Sequence, residues 1–427
     1  MRKAKGFIIG AGMTGLAASY ASGATALEAA AQPGGICRSY IAPSPVGGYR
    51  FEIGGGHWVF GGDPFLNRFL AGFGEWKSYR RRSAVYLPDS GILVPYPLQD
   101  HLSGLGPALA SQCLAEIRQE KKNTAKTMAD WIEHQFGPTL TGLFFGPFHE
   151  LYTAGLWTTI APQDSFKTPL NLEQIASGAR GEPVVETGYN QTFLYPAAGL
   201  DSFVDSLASR ASVETGAGVV RIDAKRRQLE LADGGVLGYE YSLATAPLDE
   251  VVRLAGIELD EDPDPSTAVL VVNLGGHRGP RCPDEHWVYV PRSRSGFHRV
   301  GFYSNVDGSF LPEGTAGRAS VYVERSFKRG TRPTDEGIEK YMVEVGEELC
   351  EWGFLDTIEA SVANWVETAY TWSLPGSRWK QSAAARLNEL GIFMAGRYGN
   401  WRFQGIAESL REGLLVGAML REPGADR

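Results

Sequence analysis

Three glycines near the amino terminus have the spacing of a diphosphate cradle. Gly10, Gly12 and Gly15 follow the apolar stretch GFII and precede LAASYAS, which predicts a short helix. In such a unit the first glycine permits a tight turn, the second lets a pyrophosphate approach the backbone, and the third lets the helix pack closely on the strand. Glu28 ends the next predicted strand and could accept hydrogen bonds from both hydroxyls of an adenosine ribose. The unit predicts dinucleotide binding.

A second glycine cluster stands in FEIGGGHWVF at 51–60, where Gly54, Gly55 and Gly56 directly precede His57. Glycine lets the backbone approach a ligand closely and adopt positive φ. One interpretation is a loose surface turn, because glycine clusters commonly mark turns. The other is a loop whose backbone and imidazole contact a bound ligand.

Composition limits the classes of protein to consider. A chain of 427 residues suggests two or three domains, or one cofactor domain with large insertions. The net charge of −8 argues against a general nucleic-acid binder. The four cysteines are scattered without a CxxC pair, so we expect no metal site and no disulfide framework, and we expect a cytoplasmic location. No apolar run approaches the ~20 residues of a membrane span, and the glycine-interrupted start does not fit a signal peptide.

Hydrophobic periodicity predicts the elements that position these glycines. Strands are expected at 6–9, 24–29, 268–274, 286–290, 298–304, 318–324 and 392–397. Helices are expected at 102–122, 127–155, 200–210, 335–352 and 405–420, with Asp201 as the amino-terminal cap of the third. Within 127–155, the segment TMADWIEHQFG has helical spacing and ends at Gly137. The strand and helix at the carboxyl end complete the amino-terminal unit, so we expect the cofactor domain to be discontinuous in sequence.

The stretch QPGGICRS at 32–39 indicates which dinucleotide binds. Its glycine pair and arginine resemble the second signature of the flavoprotein superfamily that includes amine oxidases, protoporphyrinogen oxidases and UDP-galactopyranose mutases. The resemblance implies FAD, with Gly35 and Arg38 among its contacts. IFMAGRYGNWRF and the helix after it resemble that superfamily's last FAD-binding segment, which adds Gly396, Arg397, Ile406 and Ala407. The alternative is a coincidental buried strand followed by a polar loop.

Further stretches resemble the UDP-galactopyranose mutases, particularly the eukaryotic type. They occur in family order over nearly the whole chain: FEIGGGHWVF, VPYPLQ, MADWIEHQFG, LFFGPFHELYTAGLWT, TFLYPAAG, HWVYVPRSRSGFHRVGFYSN, ETAYTWSLPG and GRYGNWRF. The implied fold class is α/β, with a Rossmann-type FAD-binding domain, a helical insertion and a mostly antiparallel substrate domain. We expect the FAD domain at 1–75, 200–255 and 385–427, the helical domain at 100–180, and the substrate domain at 80–99, 181–199 and 260–384.

The resemblance also implies a reaction. Reduced FAD would attack the anomeric carbon of a nucleotide-sugar through flavin N5, the nucleoside diphosphate would leave, and ring opening and reclosure would interconvert pyranose and furanose without net redox change. NAD(P)H is a possible reductant. The expected partner is the nucleotide-sugar, with no nucleic acid and no membrane, and the oligomeric state stays open.

Residues take their roles from the matching motifs. The backbone of Gly55, Gly56 and His57 would lie against the flavin. Arg299 and Arg397 would bind the diphosphate, although either could instead form a surface ion pair. The other expected substrate contacts are polar or aromatic side chains in the same motifs: Tyr289 and Tyr370 at the diphosphate, Tyr96 and Gln99 at the base, Asn190 near the substrate, and Phe403. The tyrosines could instead simply pack.

The chain departs from the family pattern at several positions. Phe403 stands where the family has a tyrosine, an arginine is missing at Ala198, and the loop before His57 has one extra glycine. These departures leave the sugar and the base open. Two other functions compete: an FAD-dependent oxidase or dehydrogenase of the same superfamily, expected to have an apolar cleft without converging arginines, and a non-catalytic FAD-binding scaffold.

Overall fold

The computed structural model describes residues 2–3, 6–61, 63–119, 125–163, 170–185 and 191–421. Its strands are β1 (Arg2–Lys3), β2 (Gly6–Ile9), β3 (Thr25–Leu27), β4 (Ser39–Ser44), β5 (Gly47–Glu52), β6 (Val59–Phe60), β7 (Trp76–Arg80), β8 (Ser83–Leu87), β9 (Ile92–Pro95), β10 (Thr192–Pro196), β11 (Val213–Glu214), β12 (Val219–Asp223), β13 (Gln228–Leu231), β14 (Val236–Gly238), β15 (Tyr241–Ala244), β16 (Ser266–Arg278), β17 (Trp287–Tyr289), β18 (Arg299–Phe302), β19 (Arg318–Lys328), β20 (Leu355–Thr371) and β21 (Ile392–Met394).

The α-helices are α1 (Met13–Ser22), α2 (Pro64–Ala71), α3 (Pro107–Ile117), α4 (Met128–Leu140), α5 (Gly146–Tyr152), α6 (Leu172–Ala179), α7 (Leu200–Ala208), α8 (Leu248–Leu254), α9 (Tyr303–Val306), α10 (Asp335–Glu351), α11 (Trp379–Glu389), α12 (Gly396–Gly399) and α13 (Ile406–Leu420). A 3₁₀ segment spans Leu98–Leu105, and one π-helical turn spans Thr141–Phe145.

A five-stranded parallel sheet carries the glycine motif. Its strand order is β11-β3-β2-β15-β21, so strands from the two ends of the chain lie side by side. Strand β2 is buried along its whole length, as an apolar run in a covered parallel sheet should be. Helix α13 packs on α1, where the absence of a side chain at Gly413 and Gly417 lets the two backbones approach. The predicted Rossmann-type unit is confirmed.

A seven-stranded sheet packs against the FEIGGGH loop. Its order is β20-β16-β19-β18-β17-β8-β9, with β17 and β8 the one parallel pair. Alternation along β19 sends Val321 and Val323 into the core beneath α10, and Tyr322 into the core that contains Trp58. The mostly antiparallel sheet, and with it the predicted fold class, is confirmed.

The remaining strands form three smaller sheets. Strands β1, β14, β13 and β12 form one sheet, β6, β10 and β7 another, and β4 and β5 a hairpin that leads into the FEIGGGH loop. None of the helices among the residues described here is long and apolar enough to cross a membrane. The domain boundaries stay a prediction.

Several local predictions were wrong. The expected helix at 127–155 is broken at Gly137, whose φ of 78° and following proline end the first segment, and it resumes through the π-helical turn. The expected helix at 102–122 begins inside the 3₁₀ segment, and it is α-helical only from Pro107 to Ile117 among its described residues. Helix α7 is capped by Gly199 rather than Asp201, which lies in its first turn. The 17-residue strand β20 was not predicted at all.

Candidate active site

The GxGxxG loop has the backbone geometry that its glycines predict. Gly10 adopts φ of 95°, and a Cβ built on Gly15 would lie 1.9 Å from the carbonyl oxygen of Gly10. A Cβ on Gly12 would meet nothing within 4 Å, so the amino end of the ten-residue helix α1 is open on that side. Helix amino termini offer unpaired N–H groups and a favourable dipole to phosphate. The loop fits a pyrophosphate.

The QPGGICRS turn packs directly on this loop. Gly34 and Gly35 both have positive φ, the Gly34 N–H donates to the carbonyl of Ala11 at 2.8 Å, and a Cβ on Gly35 would lie 3.7 Å from the Cα of Gly12. Two glycine turns therefore form one cradle. Arg38, in the same turn, is paired with Asp205 of α7 at 2.7 Å. Its contact with FAD stays a prediction.

Glu28 closes the cradle at the end of β3. Its carboxylate accepts hydrogen bonds from the backbone N–H groups of Ala11 and Ala30, each at 2.9 Å. The acid thus braces the glycine loop, and its contact with a ribose stays a prediction.

The carboxyl-terminal residues predicted to bind the cofactor lie beside α1. Gly396 has φ of 82°, and a Cβ there would be 2.6 Å from the hydroxyl of Thr14. Ile406 and Ala407 are buried in the first turn of α13. Gly396 therefore lies beside the start of α1, while α13 meets α1 through Gly413, which is close to Thr14.

Each glycine of the FEIGGGH loop has a neighbour where its Cβ would be. A Cβ on Gly54 would lie 2.3 Å from the His57 ring, one on Gly55 would lie 2.8 Å from a Glu324 carboxylate oxygen, and one on Gly56 would lie 2.1 Å from the Tyr322 hydroxyl. Real Cβ atoms do not approach this closely, and Gly55 also has φ of 80°. The loop is pressed against strand β19, so the surface-turn interpretation is wrong.

His57 is held by the same loop. Its Nδ1 lies 3.2 Å from the carbonyl oxygen of Gly55. Burial lowers the pKa of His57 to about 4, and the nearby positive charges of Arg397 and Arg299 act in the same direction. The imidazole is therefore neutral near pH 7.

Strand register places Tyr289, Arg299 and Glu324 in one row. Tyr289 on β17 is directly opposite Arg299 on β18, and Arg299 is directly opposite Glu324 on β19. Side chains directly opposite each other on antiparallel strands share a face of the sheet and are in contact distance. The row lies on the face that meets the glycine loop, since a Cβ on Gly55 would touch Glu324.

Arg299 is the cation at the centre of this row. One of its amino groups donates to both oxygens of Glu324, at 2.6 Å to Oε1, and lies 3.4 Å from the hydroxyl of Tyr370. Burial would raise the pKa of Glu324, but Arg299 and the neighbouring His298 together outweigh it and the pKa falls to about 2. Glu324 is therefore ionised, while the buried Nε of Arg299 has no hydrogen-bond partner among the described residues.

Arg397 approaches Tyr370 from the other side. Its guanidinium carbon lies 5.4 Å from the centre of the Tyr370 ring and 4.8 Å from that of Phe403. Its N–H groups donate to the carbonyls of Gln404 and Ala369, both at 2.9 Å. No carboxylate among the described residues forms an ion pair with Arg397, so its charge is available to a ligand.

Further aromatic side chains pack against Tyr289 and Tyr370. The rings of Tyr96 and Tyr289 are 4.7 Å apart, and Phe148 on α5 packs against Tyr289 at 5.5 Å. Tyr152, one turn later, packs against Tyr370 at 4.8 Å. Gln99, in the segment that follows Tyr96, is fully buried.

Asn190 lies outside the described residues. The structure brings His57, Arg299, Arg397, Tyr370, Tyr289, Tyr96 and Phe403 into one region. Sequence reasoning missed Glu324, Tyr322, Phe148 and Tyr152 as members of it. A signal existed for Glu324, because an acid inside the alternating strand SVYVERSF must be paired when buried.

Comparison with known proteins supports the fold. A family model described as an NAD(P)-binding Rossmann-like domain matches residues 8–73. The chain is similar to the crystal structure of reduced UDP-galactopyranose mutase, with a TM-score of 0.86, 21% identity, and coverage of 97% of this chain and 94% of that one. No curated protein matches the sequence significantly.

Other solved structures share the fold at lower similarity. Putrescine oxidase bound to putrescine has a TM-score of 0.59 and 16% identity, covering 98% of this chain and 99% of that one. A fatty acid isomerase from P. acnes that produces CLA has a TM-score of 0.62 and 15% identity, covering 96% of this chain and 97% of that one. One fold thus serves isomerases and oxidases, and the site must decide the function.

Proposed function

We propose that the protein is an FAD-dependent nucleotide-sugar mutase that interconverts pyranose and furanose forms of an NDP-hexose. The observation that carries the proposal is the convergence of Arg299 and Arg397 on Tyr370. An amino group of Arg299 lies 3.4 Å from the Tyr370 hydroxyl, and the guanidinium carbon of Arg397 lies 5.4 Å from the centre of the Tyr370 ring. A diphosphate leaving group needs fixed cations and hydrogen-bond donors. An oxidase acting on an apolar substrate or a simple amine has no use for two converging arginines.

The cofactor residues fit FAD. The glycine cradle and the starts of α1 and α13 would hold its diphosphate, Glu28 would lie at its ribose, and Gly55, Gly56 and His57 would lie against its ring. Bound and reduced, FAD would supply the nucleophile of the reaction. We propose NAD(P)H as the reductant.

The chain's own residues would bind and orient the substrate. Arg299 would use the exposed part of its side chain and Arg397 its unpaired charge to hold the diphosphate before and after it leaves, with the Tyr370 hydroxyl between them. Glu324 would keep the Arg299 guanidinium in one orientation. Tyr96, Tyr289 and Gln99 would form the base end of the cleft, where paired rings offer a stacking surface.

His57 would act without exchanging protons. Its pKa of about 4 keeps the ring neutral near pH 7, so it would contribute shape and backbone hydrogen bonds rather than general base catalysis.

The second candidate is an FAD-dependent oxidase of the same superfamily. What favours it is the shared fold with putrescine oxidase and the many aromatic side chains around Tyr370.

One experiment separates the two candidates. Dithionite-reduced enzyme is incubated with a panel of UDP-, GDP- and dTDP-hexoses, the products are separated as pyranose and furanose forms, and cyanoborohydride is used to trap labelled sugar on the cofactor fraction. The oxidised enzyme is the control. Ring-size exchange that requires reduction supports the mutase. The mutase proposal is wrong if no sugar shows ring-size exchange, no sugar is trapped on the cofactor fraction, and the enzyme oxidises an amine with oxygen. Parallel reduction by NADPH and NADH tests the reductant.

A further inference from the structure

Tyr322 occupies a slot made by two glycines. On β19 it is directly opposite Gly301 of β18, and a Cβ on Gly301 would lie 1.9 Å from the Tyr322 ring. At the far end of the ring, a Cβ on Gly56 would lie 2.1 Å from the hydroxyl oxygen. Any larger residue at either position would displace the ring, so the chain is built around this side chain.

The Tyr322 hydroxyl has no hydrogen bond within the described part of the chain, although the residue is only 1% exposed. The hydroxyls of Tyr239, Tyr341 and Tyr398 are closed off from solvent, whereas the Tyr322 hydroxyl keeps a little accessible surface. Polar groups in the interior of native proteins are almost always paired, so an unpaired hydroxyl that a ligand can still reach is a candidate ligand contact. The neighbouring buried Tyr303 shows the usual case, since its hydroxyl donates to Asn273 at 2.9 Å.

A second unpaired donor points to the same place. The buried Nε1–H of Trp58 has no acceptor among the described residues, and Nε1 lies 3.0 Å from the position of a Cβ on Gly56. Two donors on different elements, one on the glycine loop and one on β19, thus flank the backbone of Gly56.

The surroundings keep the Tyr322 hydroxyl protonated. Burial raises its pKa far above the usual range, and Glu324, Tyr289 and Tyr370 act in the same direction, whereas Arg299 opposes them. A neutral hydroxyl donates one hydrogen bond, and nothing in this role requires it to lose its proton.

We propose that the Tyr322 hydroxyl is a further ligand-contacting group of this site, donating a hydrogen bond to an acceptor atom at the point where the FEIGGGH loop meets the Arg299–Glu324 row. The acceptor belongs either to the flavin ring or to the sugar. This inference rests on the proposed function for the sugar and on FAD binding alone for the flavin.

The test is Tyr322→Phe, which removes one oxygen atom and leaves the ring packing against Gly301 intact. The matched control is Tyr341→Phe, which removes a buried tyrosine hydroxyl on α10, on the opposite face of the same sheet. Unfolding by urea establishes that both variants are folded. Affinity for UDP-galactose and for UDP, and the midpoint potential of the bound flavin, are then measured for both variants.

Loss of a neutral hydrogen bond corresponds to a change of roughly three- to tenfold. If the acceptor is on the sugar, Tyr322→Phe binds UDP-galactose about three- to tenfold more weakly and UDP equally well. If the acceptor is on the flavin, the midpoint potential shifts by about 15–30 mV, the same ratio for a two-electron couple. The control should move neither quantity.

Unchanged affinity for both nucleotides together with an unchanged midpoint potential overturns the proposal. If the unmutated protein does not bind UDP-galactose, the proposed function fails for that sugar, and the flavin measurement alone then decides for or against Tyr322. A change equal in size for Tyr322→Phe and Tyr341→Phe also counts against it, because it indicates general loosening.

Discussion

The guanidinium of Arg299 lies 2.6 Å from Oε1 of Glu324, the residue directly opposite it on the neighbouring strand. The Glu324 side chain is 2% exposed and the Arg299 side chain is 23% exposed, so a ligand can reach the cation but not its counter-charge. This asymmetry is what a fixed diphosphate site requires, because the carboxylate holds the guanidinium in place from behind.

Replacing Arg299 by alanine should weaken binding of UDP by roughly ten- to a hundredfold, the usual range for hydrogen bonds to charged groups. FAD should stay bound, because the glycine cradle lies on other elements. Isothermal titration with UDP and the flavin absorbance of the purified variant measure the two quantities.

Arg294→Ala is the matched control for Arg299→Ala. Arg294 forms an exposed ion pair with Glu351 at 2.6 Å and should leave UDP affinity unchanged. Equal affinity of Arg299→Ala and the unmutated protein would remove Arg299 from the substrate site.

Glu324→Gln should destabilise the protein by about 3–5 kcal/mol, because it leaves a largely buried cation without its counter-charge. Urea unfolding measures this, with Glu351→Gln as the exposed control. The pKa of Glu324 is about 2, below its unfolded value of about 4.3, so its contribution is complete above that unfolded value and is lost as pH falls toward 2. A variant as stable as the unmutated protein at pH 7 would contradict this account of the pair.

Glu52 should make stability fall as pH rises. Burial raises its pKa to about 8, with Asp201 adding to the effect and the hydrogen bond from Tyr195 and the charge of Arg50 opposing it. Below about pH 4.3 the Glu52 carboxyl is protonated in both the folded and the unfolded chain. Between about pH 4.3 and pH 8 it is protonated only in the folded chain, so the free energy of unfolding decreases as pH rises through this range.

Glu52→Gln removes this titration. Urea unfolding at pH 5.5 and pH 8 gives the free energy of unfolding of both proteins. Between pH 5.5 and pH 8, the stability of the variant relative to the unmutated protein should rise by a few kcal/mol, at ~1.4 kcal/mol per pKa unit. The comparison is of slopes, so an overall packing change does not affect it. Parallel pH profiles for the two proteins would show that Glu52 titrates normally.

Gly56→Ala should disturb the loop that precedes His57. Its methyl group would lie 2.1 Å from the Tyr322 hydroxyl and 3.0 Å from Trp58 Nε1, and overpacking of this kind costs about 1–3 kcal/mol. Urea unfolding and FAD retention during gel filtration measure the effect. Gly308→Ala is the control, since a Cβ there meets nothing within 4 Å and φ is not positive. Equal behaviour of the two alanine variants would show that the loop yields easily.

Features governed by local sterics could be predicted from the sequence. The strand, glycine loop and helix at 6–22 are adjacent in the chain, and the roles of Gly10 and Gly15 depend on atoms a few residues away. Strands β16, β17, β18 and β19 of the second sheet were predicted, whereas β8 and β9 were not. Strand β20 was missed because its mixed exposure hides any two-residue period. The helix break at Gly137–Pro138 was readable, and the end of the segment TMADWIEHQFG at Gly137 was predicted.

The sequence by itself determined the dinucleotide unit and the residue types that a diphosphate site would use, because both follow from short-range spacing. Only the tertiary structure decided which of those residues meet. Arg299 finds Glu324 through the register of two strands, and Gly54, Gly55 and Gly56 are small because His57, Glu324 and Tyr322 take the space of their side chains. Strand register and packing between segments more than 200 residues apart are set by the whole core, and no local pattern encodes them.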